Sequence, residues 1–203
     1  MESKARLVKN ELKSELGRKA IHLLVALVPC IAALDFMGKT NTALLLIAGL
    51  LFYACVESMR FLGIPLPFFS SLTKAVEREK EQGRFVIAPV TLGLGALFAL
   101  ILFPLDIAKA AIYALAFGDS AASLTGKCFG RIRPAFLKGK SVEGSLACFA
   151  VSALAGFLVF HDWKIASAMG AVSMVVDTLP VEDFDNLLLP LASGLTASLV
   201  SKL

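Results

Sequence analysis

The sequence has few of the side chains that build metal centres or disulfide frameworks. Its 203 residues include two His and one Trp. It also has four cysteines, at positions 30, 55, 128 and 148, which form no CxxC pair. Three of them lie within or next to apolar segments, which favours small buried hydrophobic roles over metal ligation or a disulfide. We find no internal repeat, no low-complexity tract and no separate soluble domain. The first nineteen residues are charged, so no cleavable signal peptide is visible.

Apolar residues, in contrast, are abundant. They make up 57% of the chain, and the mean hydropathy is +0.77, values typical of a polytopic membrane protein. Since a helix needs roughly 20 largely apolar residues to cross a bilayer, we predict seven spans, with six or eight as alternatives because several are short. They cover 20–36, 42–56, 86–105, 107–125, 143–160, 165–178 and 187–201. The predicted fold is therefore all-α: a polytopic integral membrane protein whose residues 1–203 form a single transmembrane catalytic domain.

Basic residues alternate along the predicted loops. The segment to residue 19, the loop at 57–85 and the loop at 126–140 hold sixteen of the twenty Lys and Arg residues. The positive-inside rule then places the N-terminus in the cytoplasm and, with seven spans, the C-terminus outside. Residues 1–19 are predicted to form an amphipathic cytoplasmic helix on the membrane surface, with a solvated tail as the alternative.

Polar residues gather at the predicted inner ends of the spans. They occur in "GRKAIH" (17–22), "VESMR" (56–60), "EREKEQGRF" (77–85), "KGKSVEGS" (138–145) and "VEDFDN" (181–186), and Asp119 joins them from within an apolar span. Polar side chains are costly inside a membrane and therefore point to a functional site. We expect that site on the cytoplasmic face.

The stretch "GDSAASLTGKCFGRIRP" (118–134) has the composition of a phosphate site. Gly126 and Gly130 would let the backbone approach a ligand, and the cations Lys127, Arg131, Arg133, Lys138 and Lys140, with the hydroxyls of Ser120, Ser123, Thr125 and Ser141, suit a phosphate chain. The nearby acids suit Mg²⁺, which is usually held by one or two carboxylates together with phosphates. Phosphoryl transfer needs mainly positioning and charge neutralisation, which such a set could provide.

Each feature also has a simpler interpretation. The basic loop could bind lipid headgroups, Arg18 and Lys19 could anchor a helix end at the interface, and His22 could be an ordinary helix histidine. The "EREKEQGR" run is typical of a solvated helix. "GKS" at 139–141 is not a P-loop, because Pro134 stands where its first glycine should be and no strand precedes it. Asp119 is harder to explain without a function, since a carboxylate within an apolar span is rare.

Taken in order, "GRKAIH", "FGDSAASLTGKCFGR", "KGKSVEGS" and "EDFDNLLLP" resemble the motifs of the CTP-dependent lipid-alcohol kinases, which include dolichol, phytol and polyprenol kinases and the CTP-using diacylglycerol kinase. The central block is also similar to phosphatidate cytidylyltransferase. The resemblance implies a compact, prokaryotic-type enzyme of the cytoplasmic membrane, with its active site on the cytoplasmic side. Such an enzyme would transfer the γ-phosphate of CTP to the hydroxyl of a polyprenol, phytol or diacylglycerol, with Mg²⁺ or a similar cation and without a nucleic-acid partner.

Carried over to this sequence, the resemblance assigns three overlapping sets of residues. The catalytic set is Asp119, Asp185, Glu182, Asp183 and His22, and the metal-binding set is Asp119, Glu182, Asp183 and Asp185. The nucleotide-binding set is Arg18, Lys19, Gly118, Ser120, Ser123, Gly126, Lys127, Gly130, Arg131, Lys140, Ser141, Glu143, Gly144 and Asn186.

Two other functions are weighed against the kinase. The alternative of a cytidylyltransferase forming a CDP-lipid is weakened because Ser141 replaces a common threonine and Gly139 a common lysine. A transporter is third, since we find neither an inverted repeat nor polar residues reaching both faces.

Overall fold

The computed structural model describes residues 15–64, 66, 69, 73, 83–137, 139–181 and 184–202, and within them the chain forms helices and no strand. A first helix, α1, is described over 15–24. It is followed by α2 (Leu27–Ala32), α3 (Gly38–Phe61), α4 (Ala88–Leu102), α5 (Leu105–Tyr113), a π-helical turn (Ala114–Asp119), α6 (Ser120–Cys128), a short 3₁₀ turn (Ala135–Leu137), α7 (Val142–Phe160), α8 (Trp163–Thr178) and α9 (Asp185–Val200). The prediction of an all-α fold is confirmed, and each predicted apolar segment contains helix.

Two of the described helices, α3 and α7, are long and apolar enough to cross a membrane, judged by length and composition. The helices α4 and α9 are apolar but shorter. On α3, large apolar side chains such as Leu44, Leu51 and Phe52 are more than half exposed. The seven spans and the orientation of the N-terminus stay predictions, as does the surface helix at 1–19, whose residues 1–14 lie outside the described part.

Local sequence signals set several helix ends. Pro104 precedes α5 with a φ of −52°, which suits the entry to a helix. The Ser141 hydroxyl accepts a hydrogen bond from the Gly144 amide at 3.1 Å and caps α7, and the Asp162 carboxylate caps α8 through the Lys164 amide at 2.7 Å. These caps satisfy amides that have no partner within the helix. They fix where α7 and α8 begin.

The centre of the fold is a continuous helical rod made of α5, the π-helical turn and α6, which packs against α2, α4, α7, α8 and α9. Its buried face is rich in small residues, and Ala108, Ala111 and Ala114 are fully buried. Small side chains let neighbouring helices approach closely. As a result Asp119, at the end of the π-helical turn, lies inside the protein with 8% of its surface exposed.

Close packing also explains two of the glycines in the motifs. A Cβ on Gly118 would stand 2.3 Å from the Ser152 hydroxyl of α7, and one on Gly144 would stand 2.7 Å from the backbone carbonyl of Ala122 in α6. Both distances are far below van der Waals contact. These glycines let the central rod lie directly against α7, a role that the sequence pattern did not reveal.

Candidate active site

A cleft of about 190 Å³ opens where α1, α6, the start of α7 and the facing ends of α8 and α9 meet. Its lining has four cationic side chains, four carboxylates and small residues between them. These are Lys19, Lys127, Arg133 and Lys140; Glu15, Asp119, Asp177 and Asp185; and Ala122, Ser123, Gly126, Gly139, Ser141, Gly144 and Ser145. Formal charges therefore balance among the side chains that line the cleft.

Asp119 is held by two residues of α1. The Lys19 ammonium donates a hydrogen bond to Asp119 Oδ2. His22 Nδ1 lies 3.2 Å from the same oxygen but lacks the geometry of a hydrogen bond. All three side chains are buried. Burial of a charged carboxylate is tolerated when it is paired, so α1 supplies the partner that makes Asp119 possible at this depth.

Lys140 forms the second ion-paired centre of the cleft. Its ammonium donates to the backbone carbonyl of Asp177, lies 3.1 Å from Asp177 Oδ1 and lies 3.8 Å from Asp185 Oδ2. Asp177 is in the last turn of α8, and Asp185 is the first residue of α9. One lysine from the loop before α7 thus joins the facing ends of two other helices.

Glu15 forms a third centre, between α1 and α6. Its carboxylate accepts hydrogen bonds from the Ser123 hydroxyl and, at 2.8 Å, from the Lys127 ammonium. Arg18 Nη1 lies 3.5 Å from Glu15 Oε2, and Lys19 Nζ lies 4.0 Å from Glu15 Oε1. Burial alone would raise the pKa of Glu15, but the hydrogen bonds from Lys127 and Ser123 and the charges of Lys19 and Arg18 lower that pKa to about 2. The carboxylate is therefore ionised at neutral pH.

The loop between α6 and α7 is tied to itself at several points. The Arg133 guanidinium donates to the carbonyl of Gly139 at 2.5 Å and to that of Gly126 at 2.7 Å. The Glu143 carboxylate accepts from the amides of Arg131 at 2.9 Å and Ile132 at 3.1 Å. These contacts span the loop and position Lys140 at its end. Glu143 thus stabilises the conformation of the loop.

Together with Arg133 of the basic loop, nine residues of the three assigned sets line one cleft. They are Lys19, Asp119, Ser123, Gly126, Lys127, Lys140, Ser141, Gly144 and Asp185. Arg18 and His22 border it and line a second, smaller cavity with Ile21, Val86, Ala88, Pro89 and Leu92.

Other predicted residues are not part of the cleft lining. These are Gly118, Ser120, Gly130, Arg131, Glu143 and Asn186. The Ser120 hydroxyl donates to the carbonyl of Ala116 at 2.6 Å, and the Asn186 amide contacts the Thr91 hydroxyl at 3.3 Å. Gly130 packs within the loop, where a Cβ would stand 2.2 Å from the carbonyl of Gly126. Lys138, Glu182 and Asp183 lie outside the described residues.

Two acidic residues of the cleft, Asp177 and Glu15, were missed by the sequence analysis. Asp177 closes the apolar run "AVSMVVD", so the reasoning that singled out Asp119 as a carboxylate within an apolar span applies to it equally. Glu15 stands three and four residues before Arg18 and Lys19, the spacing at which helical side chains meet. The acid at the end of an apolar run and the helical spacing of Glu15 to two cations were therefore both visible in the sequence.

The oxygen donors of the cleft fit a divalent cation that arrives with phosphates. Among the described residues no group of three or more His, Cys, Asp or Glu side chains could hold a metal ion alone. Mg²⁺ is usually bound by one or two carboxylates, with phosphate and water oxygens completing the shell. Asp119 and Asp185 offer such carboxylates beside the lysines that would face the phosphates. The donor set thus suits an ion shared with the substrate.

Comparison with known proteins adds a second line of evidence. The chain is 29% identical over 157 residues to CTP-dependent diacylglycerol kinase 1 of Eremothecium gossypii, a match that covers 75% of this chain and 48% of the relative. It is 28% identical over 212 residues to the probable chloroplastic phytol kinase of Triticum aestivum, covering 93% of this chain and 68% of that protein. For the chloroplastic phytol kinase 1 of Arabidopsis thaliana, identity is 25% over 213 residues, with 94% and 68% covered.

The chain is similar to these lipid kinases. The resemblance that the motifs predict is confirmed by these relatives, two of which match over more than nine-tenths of the chain. The chain spans about half the length of the diacylglycerol kinase and about two thirds of the phytol kinases. No protein-family model matches it, and no solved structure matches it either. The kinases of this group are therefore the relatives against which the cleft is interpreted.

Proposed function

We propose that this protein is a CTP-dependent kinase that transfers the γ-phosphate of CTP to the hydroxyl of a membrane lipid alcohol. The observation that carries the proposal is the cleft, in which Asp119, Lys140 and Asp185 converge from three separate motifs of the chain. Phosphoryl transfer needs cations for the phosphates and carboxylates for a divalent ion. Both are present, and the relatives that share the motifs are named as lipid kinases.

In this proposal the residues of the cleft have separate roles in binding the phosphates, holding the cation and positioning these groups. Lys140 and Lys127 bind phosphate oxygens through charge-assisted hydrogen bonds. Asp119 and Asp185 would hold the divalent cation, which when bound would supply charge neutralisation at the phosphates. Asp177 positions the Lys140 ammonium. The lipid hydroxyl oxygen forms a bond to the γ-phosphorus as the bond between that phosphorus and the β,γ-bridging oxygen breaks, and a carboxylate of the cleft accepts the hydroxyl proton.

The test is a product assay on the purified protein in detergent with CTP, Mg²⁺ and a panel of phytol, polyprenol and diacylglycerol. CTP labelled at the γ-position should yield a labelled phospholipid, and CTP labelled at the α-position should yield free CDP. Lys140→Ala is the matched control and should form both products only at a higher CTP concentration. Release of pyrophosphate together with a lipid that keeps the α-label would show a cytidylyltransferase and overturn the proposal.

We further propose that the protein is embedded in the membrane with this cleft on the cytoplasmic side. The support is the asymmetry of Lys and Arg along the chain and the apolar surfaces of α3 and α7. In a variant without the native cysteines, a cysteine at Arg133 should react only from the cytoplasmic side. One at Lys164 should react only from outside. Labelling of both from the same side would contradict the seven-span arrangement.

A further inference from the structure

Glu15 makes its polar contacts with residues that the sequence analysis assigns to the nucleotide. Its carboxylate oxygens contact the Ser123 hydroxyl, the Lys127 ammonium at 2.8 Å, Arg18 Nη1 at 3.5 Å and Lys19 Nζ at 4.0 Å. Two of these groups come from α1 and two from α6. The Glu15 side chain is 8% exposed, so its carboxylate is enclosed by the groups that contact it. A hydroxyl and several cations converging on one anion form a site that a phosphate oxygen could equally fill.

The charge of the cleft gives a reason why this carboxylate must move. The four carboxylates of the lining already match its four cations. A triphosphate adds several negative charges, and like charges confined to one site repel strongly. A divalent cation can offset two of the other three carboxylates, of which Asp119 pairs with Lys19 and Asp177 and Asp185 lie beside Lys140. Glu15 contacts cations and a hydroxyl that a phosphate also needs, so it competes with the substrate directly.

We propose that Glu15 occupies a phosphate subsite in the unliganded protein, and that a phosphate group of the bound nucleotide replaces it there. The subsite consists of Ser123, Lys127, Arg18 and Lys19. Glu15 acts as a built-in competitor that keeps these cations paired while no nucleotide is bound. This inference rests on the proposed function for the identity of the anion, a nucleoside triphosphate.

The experiment measures binding of inorganic tripolyphosphate to the full chain in detergent by calorimetric titration. Glu15→Gln removes the competing charge but keeps the size of the side chain. We expect it to bind tripolyphosphate roughly tenfold more tightly than the wild type, the low end of what one charge-assisted hydrogen bond is worth. Glu57→Gln is the matched control, because Glu57 is also a buried carboxylate, bonded to Arg60 and the Val86 amide instead of the cleft. Its affinity should be unchanged.

The result that would overturn the inference is a Glu15→Gln variant that gains no affinity for tripolyphosphate. If Glu15 merely orients Lys127 and Ser123, Glu15→Gln will bind tripolyphosphate with equal or weaker affinity, and the inference is overturned. Glu15→Asp keeps the charge but shortens the side chain by one methylene. It should give an affinity between those of the wild type and Glu15→Gln, and a loss of affinity in both variants would also refute the competitor role.

Failure of this inference can be separated from failure of the proposed function. A wild type that phosphorylates lipid from CTP, combined with a Glu15→Gln variant that gains no affinity, overturns the competitor role alone. A Glu15→Gln variant that gains tripolyphosphate affinity in a protein that makes no phospholipid supports the anion subsite and overturns the kinase.

Discussion

Replacement of Asp119 by Asn separates the catalytic role of this residue from its structural one. The carboxylate is buried and accepts a hydrogen bond from Lys19. Breaking a buried ion pair by removing one partner commonly costs about 3–5 kcal/mol. Since Lys19 keeps Glu15 at 4.0 Å, we expect a loss at the low end, about 3 kcal/mol. For a protein of this size that corresponds to a thermal midpoint lower by about 6–12 °C.

The double variant Lys19→Met with Asp119→Asn removes both charges of the buried pair and separates the effect on stability from the effect on activity, to which the loss of the Lys19 phosphate contact also contributes. A buried ion pair can often be replaced by uncharged residues at little cost, so its thermal midpoint should return to within about 4 °C of the wild type. Its kinase activity should nevertheless stay at least about a hundredfold below the wild type, as for loss of a group that stabilises charge in the transition state. Thermal unfolding in detergent and the labelled-CTP assay measure the two quantities. A double variant with near-native turnover would refute the metal-binding role, and a single variant with an unchanged midpoint would refute the buried pair.

Three further outcomes are expected. Lys140→Ala should raise the CTP concentration needed for half-maximal activity by roughly tenfold or more, the loss of one charge-assisted phosphate contact, and an unchanged CTP dependence would return Lys140 to lipid-headgroup binding. Gly144→Ala should lower the free energy of unfolding by about 1–3 kcal/mol through overpacking, because its Cβ would stand 2.7 Å from a backbone carbonyl. Gly49→Ala is the matched control: its Cβ would meet no atom within 4 Å, so this change should stabilise α3 by about 0.5–1 kcal/mol. The folded-state pKa of Glu15 lies below its ordinary value of 4.5, at about 2. The free energy of unfolding should therefore fall as the pH drops from 4.5 towards 2, and it should fall less in Glu15→Gln. Equal acid sensitivity of the two proteins would contradict the pairing of Glu15 with its cations.

The helical fold and the main positions of the site could be predicted from the sequence because both depend on local signals. Apolar runs of fixed length predict helices, and a carboxylate such as Asp119 is conspicuous within one of them. Lys140 belongs to the basic loop at 126–140, whose composition predicts a phosphate site. The comparison with lipid kinases then confirmed the family resemblance that these motifs predict.

The pairing of charges could not be predicted, because it joins residues far apart in the chain. Lys19 and Asp119 are 100 positions apart, and Lys140 and Asp177 are 37 apart. No local sequence pattern predicts which cation forms an ion pair with which carboxylate. From the sequence Asp119 is therefore an isolated acid, whereas in the structure it is one member of an ion pair. Removing its charge thus threatens the fold as well as the chemistry.

The π-helical turn at Ala114–Asp119 has a consequence for how this chain tolerates insertions and deletions. A π-helical turn accommodates one more residue than the α-helix around it. Deleting one residue there would restore the regular helix, and because the turn already absorbs that extra residue, we expect the residues after it to keep nearly the same direction. A deletion within the regular helix of α6, in contrast, would rotate the residues after it by about 100°, the angle between successive residues of an α-helix. Lys127 would then turn away from Glu15. The π-helical turn is therefore a place where the central helices can lose a residue and still keep Lys127 paired with Glu15.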